Sequence, residues 1–306
     1  MKKNLLLIGS GYMAREYLNV IEKYFDNFSV SLISSSKDRS NELEKKYNIL
    51  ETFESIDKLL LHEKDFSKYQ KIIVCTSEKR FLNLAKVLTN YECEVLFEKP
   101  LGLSFEESLK IIELSNDKFF LALNRRFYDG INELRNLISN KKLIHGLILD
   151  QQSEHDWSDR RLTDINKELV YSNSIHIIDL AFFLIKNQQV DDYSVKNIKS
   201  KNKNISKYRI SINSECDLEY LRHNNIPGKW QIILFFKDIF VYFENLESFS
   251  VFNDKRQIIM SSKPQNEEIK PGLRNLLESF LNKDFVTQAP KVEDCIKIFG
   301  LVNSLR

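Results

Sequence analysis

The chain has 306 residues, of which 42% are hydrophobic, 29% charged and 11% aromatic. That apolar share excludes a disordered chain, and 8 glycines with 5 prolines exclude a collagen-like or linker-dominated one. Its 45 basic and 43 acidic residues leave a net charge of +2, so no bulk field selects nucleic acid or an anionic membrane.

The apolar start, Leu5-Leu6-Leu7-Ile8, ends at Gly9. A signal peptide needs an apolar region of roughly 7–15 residues and a transmembrane helix about 20, so a cytoplasmic protein is expected. Cys75, Cys93, Cys216 and Cys295 show no CxxC spacing, which points to a reducing compartment. The histidines, His62, His145, His155, His176 and His223, show no HxH or HxxxH spacing, so no metal is expected.

The first third alternates short apolar runs with amphipathic stretches. The pattern predicts strands at Asn4–Ile8, Ser29–Ile33, Lys71–Thr76, Glu94–Glu98 and Phe119–Leu123. Helices are predicted over Met13–Tyr24, Arg39–Tyr47, Arg80–Asn90 and Phe105–Ser115. Strands separated by helices are the mark of right-handed crossovers in a parallel sheet, so residues 1–121 read as a doubly wound domain.

Residues 122–306 read differently. Helices are predicted at Ile131–Ile138, Ile175–Ile185, Leu273–Leu281 and Val292–Leu305. Strands are predicted at Gly146–Gln152, Ser194–Ile198, Tyr208–Asn213, Trp230–Phe236, Ile239–Phe243 and Phe249–Phe252. Successive strands imply a mainly antiparallel sheet, giving an α/β fold with an α+β second domain. Lys199–Lys207 is read as a solvated loop. Trp230, Ile232, Leu234 and Phe236 alternate, which would place an apolar row on one face, either open to a partner or covered by the domain's own helices.

Gly9-Ser10-Gly11-Tyr12-Met13-Ala14 lies at the first strand–helix junction and matches GxGxxG with Ala at its third position. Gly9 would permit the tight turn, and Gly11 would let backbone N–H groups approach a pyrophosphate at the helix end. At the end of the second strand stand Ser34-Ser35-Ser36-Lys37-Asp38-Arg39. Ser34, Ser35, Lys37 and Arg39 suit a 2′-phosphate, which favours NADP. Asp38 is the competitor that would hold the ribose of NAD.

Glu98-Lys99-Pro100 closes a later strand, where Pro100 disfavours helix at Lys99 and keeps it extended at the ligand edge of the sheet. With the nucleotide-binding start, this EKP resembles the glucose–fructose oxidoreductase, inositol dehydrogenase and MocA family. Asn124-Arg125-Arg126-Phe127 is similar to the family's segment after the sixth strand. Ser174-Ile175-His176-Ile177-Ile178-Asp179 resembles its GxHxxD helix, and Val292–Leu305 its closing helix. The resemblance covers nearly the whole chain.

It implies a Rossmann domain joined to an open-sheet domain that packs against partner subunits, hence a homo-oligomer, dimer or tetramer. The closing helix is expected to pack back near the Rossmann domain. The implied activity is reversible hydride transfer between a nicotinamide and a sugar-like alcohol carbon. Gly9, Gly11, Tyr12, Met13, Ala14, Thr76, Ser77 and Glu98 would line the cofactor. Lys99 would lie beside nicotinamide and substrate, with His176 relaying the proton. Arg126 either contacts substrate or cofactor or forms a salt bridge, and Asp179 either orients His176 or caps a neighbouring element. His155 and Trp157 are read as pocket-lining loop residues.

The match also departs from the pattern. The Asp that many members carry four residues before the helix histidine is Ser172 here, with Asn173 beside it, and the Gly is Ser174. The frequent Thr-Pro turn is Thr76-Ser77, and the later helix-start histidine is Phe81. Ser172 and Asn173 can hydrogen-bond a sugar hydroxyl, but neither is a general base unaided. A nicotinamide-binding sensor without turnover, or a reductase of a non-sugar substrate, are therefore the alternatives.

Overall fold

The computed structural model describes residues 2–63, 66–152, 170–185, 193–202, 204–212, 216–224, 228–263, 268–282 and 287–305. The chain forms two compact units, residues 1–124 with 267–296 and residues 125–266 with 297–306.

The first unit is built on six strands, β1 (Lys3–Ile8), β2 (Phe28–Ile33), β3 (Ile49–Phe53), β4 (Lys71–Val74), β5 (Glu94–Phe97) and β6 (Phe119–Leu121). They pair in parallel in the order β3-β2-β1-β4-β5-β6. Strands buried on both faces need unbroken apolar runs, and Leu5, Leu6 and Leu7 are fully buried. The intervening helices are α1 (Tyr12–Tyr24), α2 (Lys37–Lys46), α3 (Ile56–Glu63), α4 (Phe81–Leu88) and α5 (Phe105–Glu113). Helix α1 buries Ala14, Tyr17, Leu18 and Ile21, the spacing of one helical face. Phe97 of β5 makes edge contacts with Phe81 and Phe119 at centroid distances of 5.4 and 5.2 Å, tying α4 and β6 to the sheet.

Two elements here escape the sequence pattern. β3 is an edge strand with Leu50 exposed, so its apolar signal is weak, and α3 follows it directly. The helix expected from Arg80 begins at Phe81, after a 3₁₀ turn over Glu78–Arg80.

The second unit contains α6 (Ile131–Ile138), β7 (Leu143–Gln152), a π-turn over Val170–Ser174 and α7 (Ile175–Ile185). The strands that follow are β8 (Tyr193–Ile198), β9 (Ile205–Ile212), β10 (Cys216–Asn224), β11 (Gln231–Phe236), β12 (Ile239–Asn245), β13 (Ser248–Asn253) and β14 (Ile258–Ser262). Their order is β14-β13-β12-β11-β7-β10-β9-β8, antiparallel except between β7 and β10. Between α7 and this sheet lies the unit's core. All eleven residues of α7 are buried, so the helix shows no polar face, as expected for one enclosed on all sides.

Of the two outcomes open for the alternating row on β11, the structure shows the covered one, and only Trp230 falls outside the strand. Ile232, Leu234 and Phe236 face the covered side. The open face carries Ile233 and Phe235 instead, with Phe240 and Phe252 stacked 4.5 Å apart and 6° from parallel. Strands β10 and β14 were not expected. β10 buries a charged side chain, Arg222, among its inward residues, which breaks the apolar alternation. The loop expected over Lys199–Lys207 ends earlier, because β9 begins at Ile205.

Two more helices complete the described chain, α8 (Leu273–Leu281) in the first unit and α9 (Ile296–Ser304). The helix expected from Val292 opens as a 3₁₀ turn over Glu293–Cys295. Among the described residues no helix is long and apolar enough to cross a membrane.

Candidate functional site

A cleft of about 390 Å³ opens at the carboxyl ends of β1, β2 and β4 in the first unit. In this strand order the chain leaves β1 toward β2 on one side and returns to β4 on the other, the switch point where open α/β sheets hold ligands. Gly9 and Gly11 line it and serve different ends. Gly9 has φ +130°, and a Cβ there would lie 2.7 Å from the Cys75 carbonyl oxygen. Only glycine allows that approach of β1 to β4. At Gly11 a Cβ would meet no protein atom within 4 Å, so it would project into the open cleft. What Gly11 keeps accessible is the amino end of α1, which has no side-chain cap and no acid in its first turn. Uncapped N–H groups at the positive end of a helix dipole are an anion site. By contrast, α5 is closed by its own residues: Ser104 accepts from the Glu107 N–H, and Glu107 accepts from the Leu103 N–H.

At the end of β2, Ser34, Ser35, Ser36 and Arg39 line the same cleft, whereas Lys37 and Asp38 are absent from its lining. Ser34 is buried, its hydroxyl 2.7 Å from Ser10 Oγ, so it holds the β2 loop against the glycine loop. Thr76 and Ser77 after β4 complete that wall. Glu54 and Arg80 also line it; sequence reasoning missed both, Glu54 because it follows an edge strand with a thin apolar signal and Arg80 because it reads only as the start of a helix. Tyr12, Met13 and Ala14 form the first turn of α1, with Tyr12 exposed and Ala14 buried.

Glu98 and Lys99 follow β5, and the Lys99–Pro100 peptide is cis. The carboxylate of Glu98 accepts a 2.6 Å hydrogen bond from the Tyr17 hydroxyl of α1. Tyr17 is fully buried, and burial first, then the Glu98 charge, pushes its phenol well above the usual range. A helix opened by the glycine loop is thereby tied to the strand end that carries Lys99. Tyr17 reads as an ordinary core position in the sequence, so nothing local announces this bond.

The second unit gathers the remaining expected residues around the start of α7. His176 is buried on that helix. Arg126 forms a bidentate pair with Asp179, with Nε 2.9 and 3.1 Å from the two oxygens, so the salt-bridge role is the one the geometry displays. Asn173 donates to Gln152 Oε1 at 3.1 Å, and Gln152 donates to Asp150. Asp150, fully buried on β7, also accepts from Tyr220, and burial holds its carboxyl above the usual range. Ser174 joins the network through Gln152 Nε2 at 3.4 Å, and Ser172 sits in the same π-turn. The Asp150 and Gln152 contribution was missed because both stand inside a strand that reads as structural. His155 and Trp157 lie outside the described residues.

Residues 3–119 match the model of an oxidoreductase family with an NAD-binding Rossmann fold. No curated protein matches the chain in sequence. Solved structures that are similar over nearly their full lengths include three dehydrogenases. A dehydrogenase from Clostridium difficile is 19% identical, with a TM-score of 0.78 over 99% of this chain and 98% of that one. A UDP-N-acetylglucosamine 3-dehydrogenase from Acidithiobacillus ferrooxidans is 14% identical, with a TM-score of 0.76 over 100% and 97%. A levoglucosan dehydrogenase solved with NADH and levoglucosan is 14% identical, with a TM-score of 0.77 over 100% and 96%. At these identities the likeness is one of fold.

The Tyr17–Glu98 bond is directly testable. Tyr17→Phe keeps the ring and removes a buried donor to a carboxylate, and is expected to cost about 1–3 kcal/mol. The loss should appear as a lower urea midpoint with an unchanged slope. A midpoint equal to that of the parent protein would show that the hydroxyl contributes nothing.

Proposed function

With residues 3–119 belonging to the glucose–fructose oxidoreductase, inositol dehydrogenase and MocA oxidoreductases, we propose that the chain transfers a hydride between NADP, or NAD, and a CH–OH carbon of a sugar, cyclitol or nucleotide-linked sugar. The observation that carries this reading is the cleft at the switch point, which joins the glycine loop, the uncapped end of α1 and the β2 end in one cavity.

The residues present fit a dinucleotide. The N–H groups of the α1 first turn would take the pyrophosphate, and Gly11 leaves the room for it. Ser35 and Arg39 would take the 2′-phosphate of NADP. Of the two charges that compete at the β2 end, Arg39 borders the cavity and Asp38 does not, which favours NADP over NAD. Thr76, Ser77 and Glu98 would bound the rest of the cofactor. When bound, the nicotinamide supplies hydride acceptance and donation.

The protein's own task is the proton. Oxidation of a secondary alcohol releases one proton from the hydroxyl, and reduction of the ketone consumes it. Lys99, at the end of β5, would exchange that proton, and His176 would relay it, since an imidazole titrates near neutrality. Ser172 and Asn173 would hydrogen-bond substrate hydroxyls, with Asn173 steadied by Gln152. Arg126, already paired to Asp179, would contribute positive charge at the edge of that region. Sugar dehydrogenases among the similar structures support a polyol-like substrate. Ser172, in place of a carboxylate, supports a second reading in which the cofactor binds and no turnover follows.

The reading extends to a homo-oligomer. The open face of the second unit's sheet bears Ile233, Phe235, Phe240 and Phe252. Its charged flank pairs Lys207 with Glu219 at 2.8 Å and Arg209 with Asp217 at 3.7 Å, so it presents both signs to a second copy. A second copy of the chain is the occupant that suits it.

Titration of the protein with NADPH and NADH, read by tryptophan emission, is expected to show tighter NADPH binding, and Arg39→Ala should erase the difference. Tighter NADH binding would reassign the β2 end to the ribose, and binding of neither would remove the enzyme reading. For turnover, Lys99→Ala and His176→Ala should each lower kcat for reduction of keto-sugars or nucleotide keto-sugars by about 100-fold or more. Undiminished rates would sink the proton assignment, and absence of turnover in the parent protein despite NADPH binding would favour the sensor. In light scattering at micromolar concentration a dimer or tetramer is expected, and Phe240→Glu should dissociate it. A monomeric parent protein would dismiss the oligomer.

A further inference from the structure

We propose that the cleft selects adenine as the base of its dinucleotide through Glu54 and Arg80, the Glu54 carboxylate accepting a hydrogen bond from the exocyclic amine and the Arg80 guanidinium lying against the ring. This rests on the reading above that the cleft takes NADP or NAD, and deepens it by naming a feature of the ligand that the site tells apart.

Three charged side chains line the cleft, and each follows a different strand: Arg39 follows β2, Glu54 β3 and Arg80 β4. Elsewhere in this unit opposite charges pair where they meet, Arg15 with Glu42 at 2.8 Å, Lys68 with Glu51 and Lys118 with Glu92. In the cleft they do not. Among the described residues, the side chains of Arg39, Glu54 and Arg80 have no hydrogen-bond or ion-pair partner, although one acid and two bases share a cavity of about 390 Å³. Donor and acceptor capacity of both signs is therefore left for a ligand.

The backbone fixes where these groups stand. Phe53 ends β3 and is buried, and its carbonyl accepts a 2.9 Å hydrogen bond from the Ser34 N–H. Glu54 is the next residue, so it is held beside the serine loop that follows β2. Ser55 is committed to α3, because its hydroxyl accepts from the Lys58 N–H at 3.2 Å. After β4, the 3₁₀ turn over Glu78–Arg80 is closed by the Arg80 N–H on the Ser77 carbonyl at 3.0 Å, and Phe81 behind it is buried. Arg80 and Leu84 stand four residues apart where α4 begins, which puts them on one helical face, and both line the cleft.

The chemistry of this set fits one base. Half-buried Ile56 and Leu84 give the cleft apolar surface for a ring, and a guanidinium plane stacks on the face of any base. Arg80 thus supplies affinity without identity. A carboxylate is an acceptor only, and the exocyclic amine of adenine is a donor. Deamination to hypoxanthine puts a carbonyl oxygen in its place, which a carboxylate repels. Glu54 thus supplies identity, and Arg39 is left to the 2′-phosphate.

The experiment titrates the parent protein, Glu54→Gln, Glu54→Ala and Arg80→Ala by calorimetry with NADPH and NADH, each beside its hypoxanthine analogue. The parent protein is expected to bind the adenine form about 10-fold more tightly than the analogue, whichever dinucleotide it prefers. Glu54→Gln should bring the two within about twofold, because an amide can donate to a carbonyl or accept from an amine. Glu54→Ala should weaken the adenine form without weakening the analogue. Arg80→Ala is expected to weaken both by about 5- to 10-fold and keep the preference. All three should melt with the parent protein when no ligand is present, since exposed side chains without partners add little to stability. Equal binding of the two bases by the parent protein overturns the proposal, and so does a preference that survives in both Glu54 variants. Uniform weakening with a lowered melting temperature in the Glu54 variants overturns it too, because it would make Glu54 a structural residue. Arg80→Ala with the affinity of the parent protein for both bases overturns the part given to Arg80. A parent protein that binds none of the four compounds removes the cofactor reading, and this inference with it; one that binds adenine and hypoxanthine forms alike removes this inference alone.

Discussion

The passage of β1 against the backbone of β4 at Gly9 is the constraint on which the first unit depends. A side chain there would sit 2.7 Å from a carbonyl oxygen, in a backbone conformation that L-residues rarely adopt. With glycine, the two strand ends meet side by side, the loop turns sharply, and α1 starts with its amino end at the sheet edge. The cleft, lined by Ser34, Ser35, Ser36 and Arg39 after β2 and by Thr76 and Ser77 after β4, follows from that one approach.

The two units treat buried and uncapped polar groups in opposite ways. In the first, the amino end of α1 is left with neither a capping side chain nor an acid, next to Gly11 on the cleft wall. In the second, Asp150, Gln152, Tyr220, Ser174 and Asn173 satisfy one another inside the protein. A polar group left open at a cleft is suited to a ligand, and a closed network is suited to holding a turn in one shape. The network sets the π-turn that precedes His176. Tyr17 performs a similar service across the first unit, because its phenol links the helix of the glycine loop to the strand end before Lys99.

Much of the fold was legible because burial imposes a period on the sequence. The central strands of the parallel sheet read as apolar runs, and α6, α7 and α8 fall where their spacing places them. Failures have particular causes. β3 and β14 are sheet edges, where one side of the strand pairs with no other strand among the described residues and the apolar signal thins. β10 hides a charge, so its alternation is broken. On β11 the period was read correctly, but a period of two cannot say which face the helices cover.

The sequence by itself determined the fold class, the glycine loop with the tight turn at Gly9, and the strand that ends at Glu98-Lys99-Pro100. These are local patterns, decided by residues within a turn or two of one another. Only the tertiary structure decided that Arg39 and not Asp38 lines the cleft, that Arg126 is paired to Asp179, that Tyr17 holds Glu98, and that Glu54 and Arg80 line the same cleft. Each of those joins residues on different elements, and packing, which no local period encodes, sets which side chains meet.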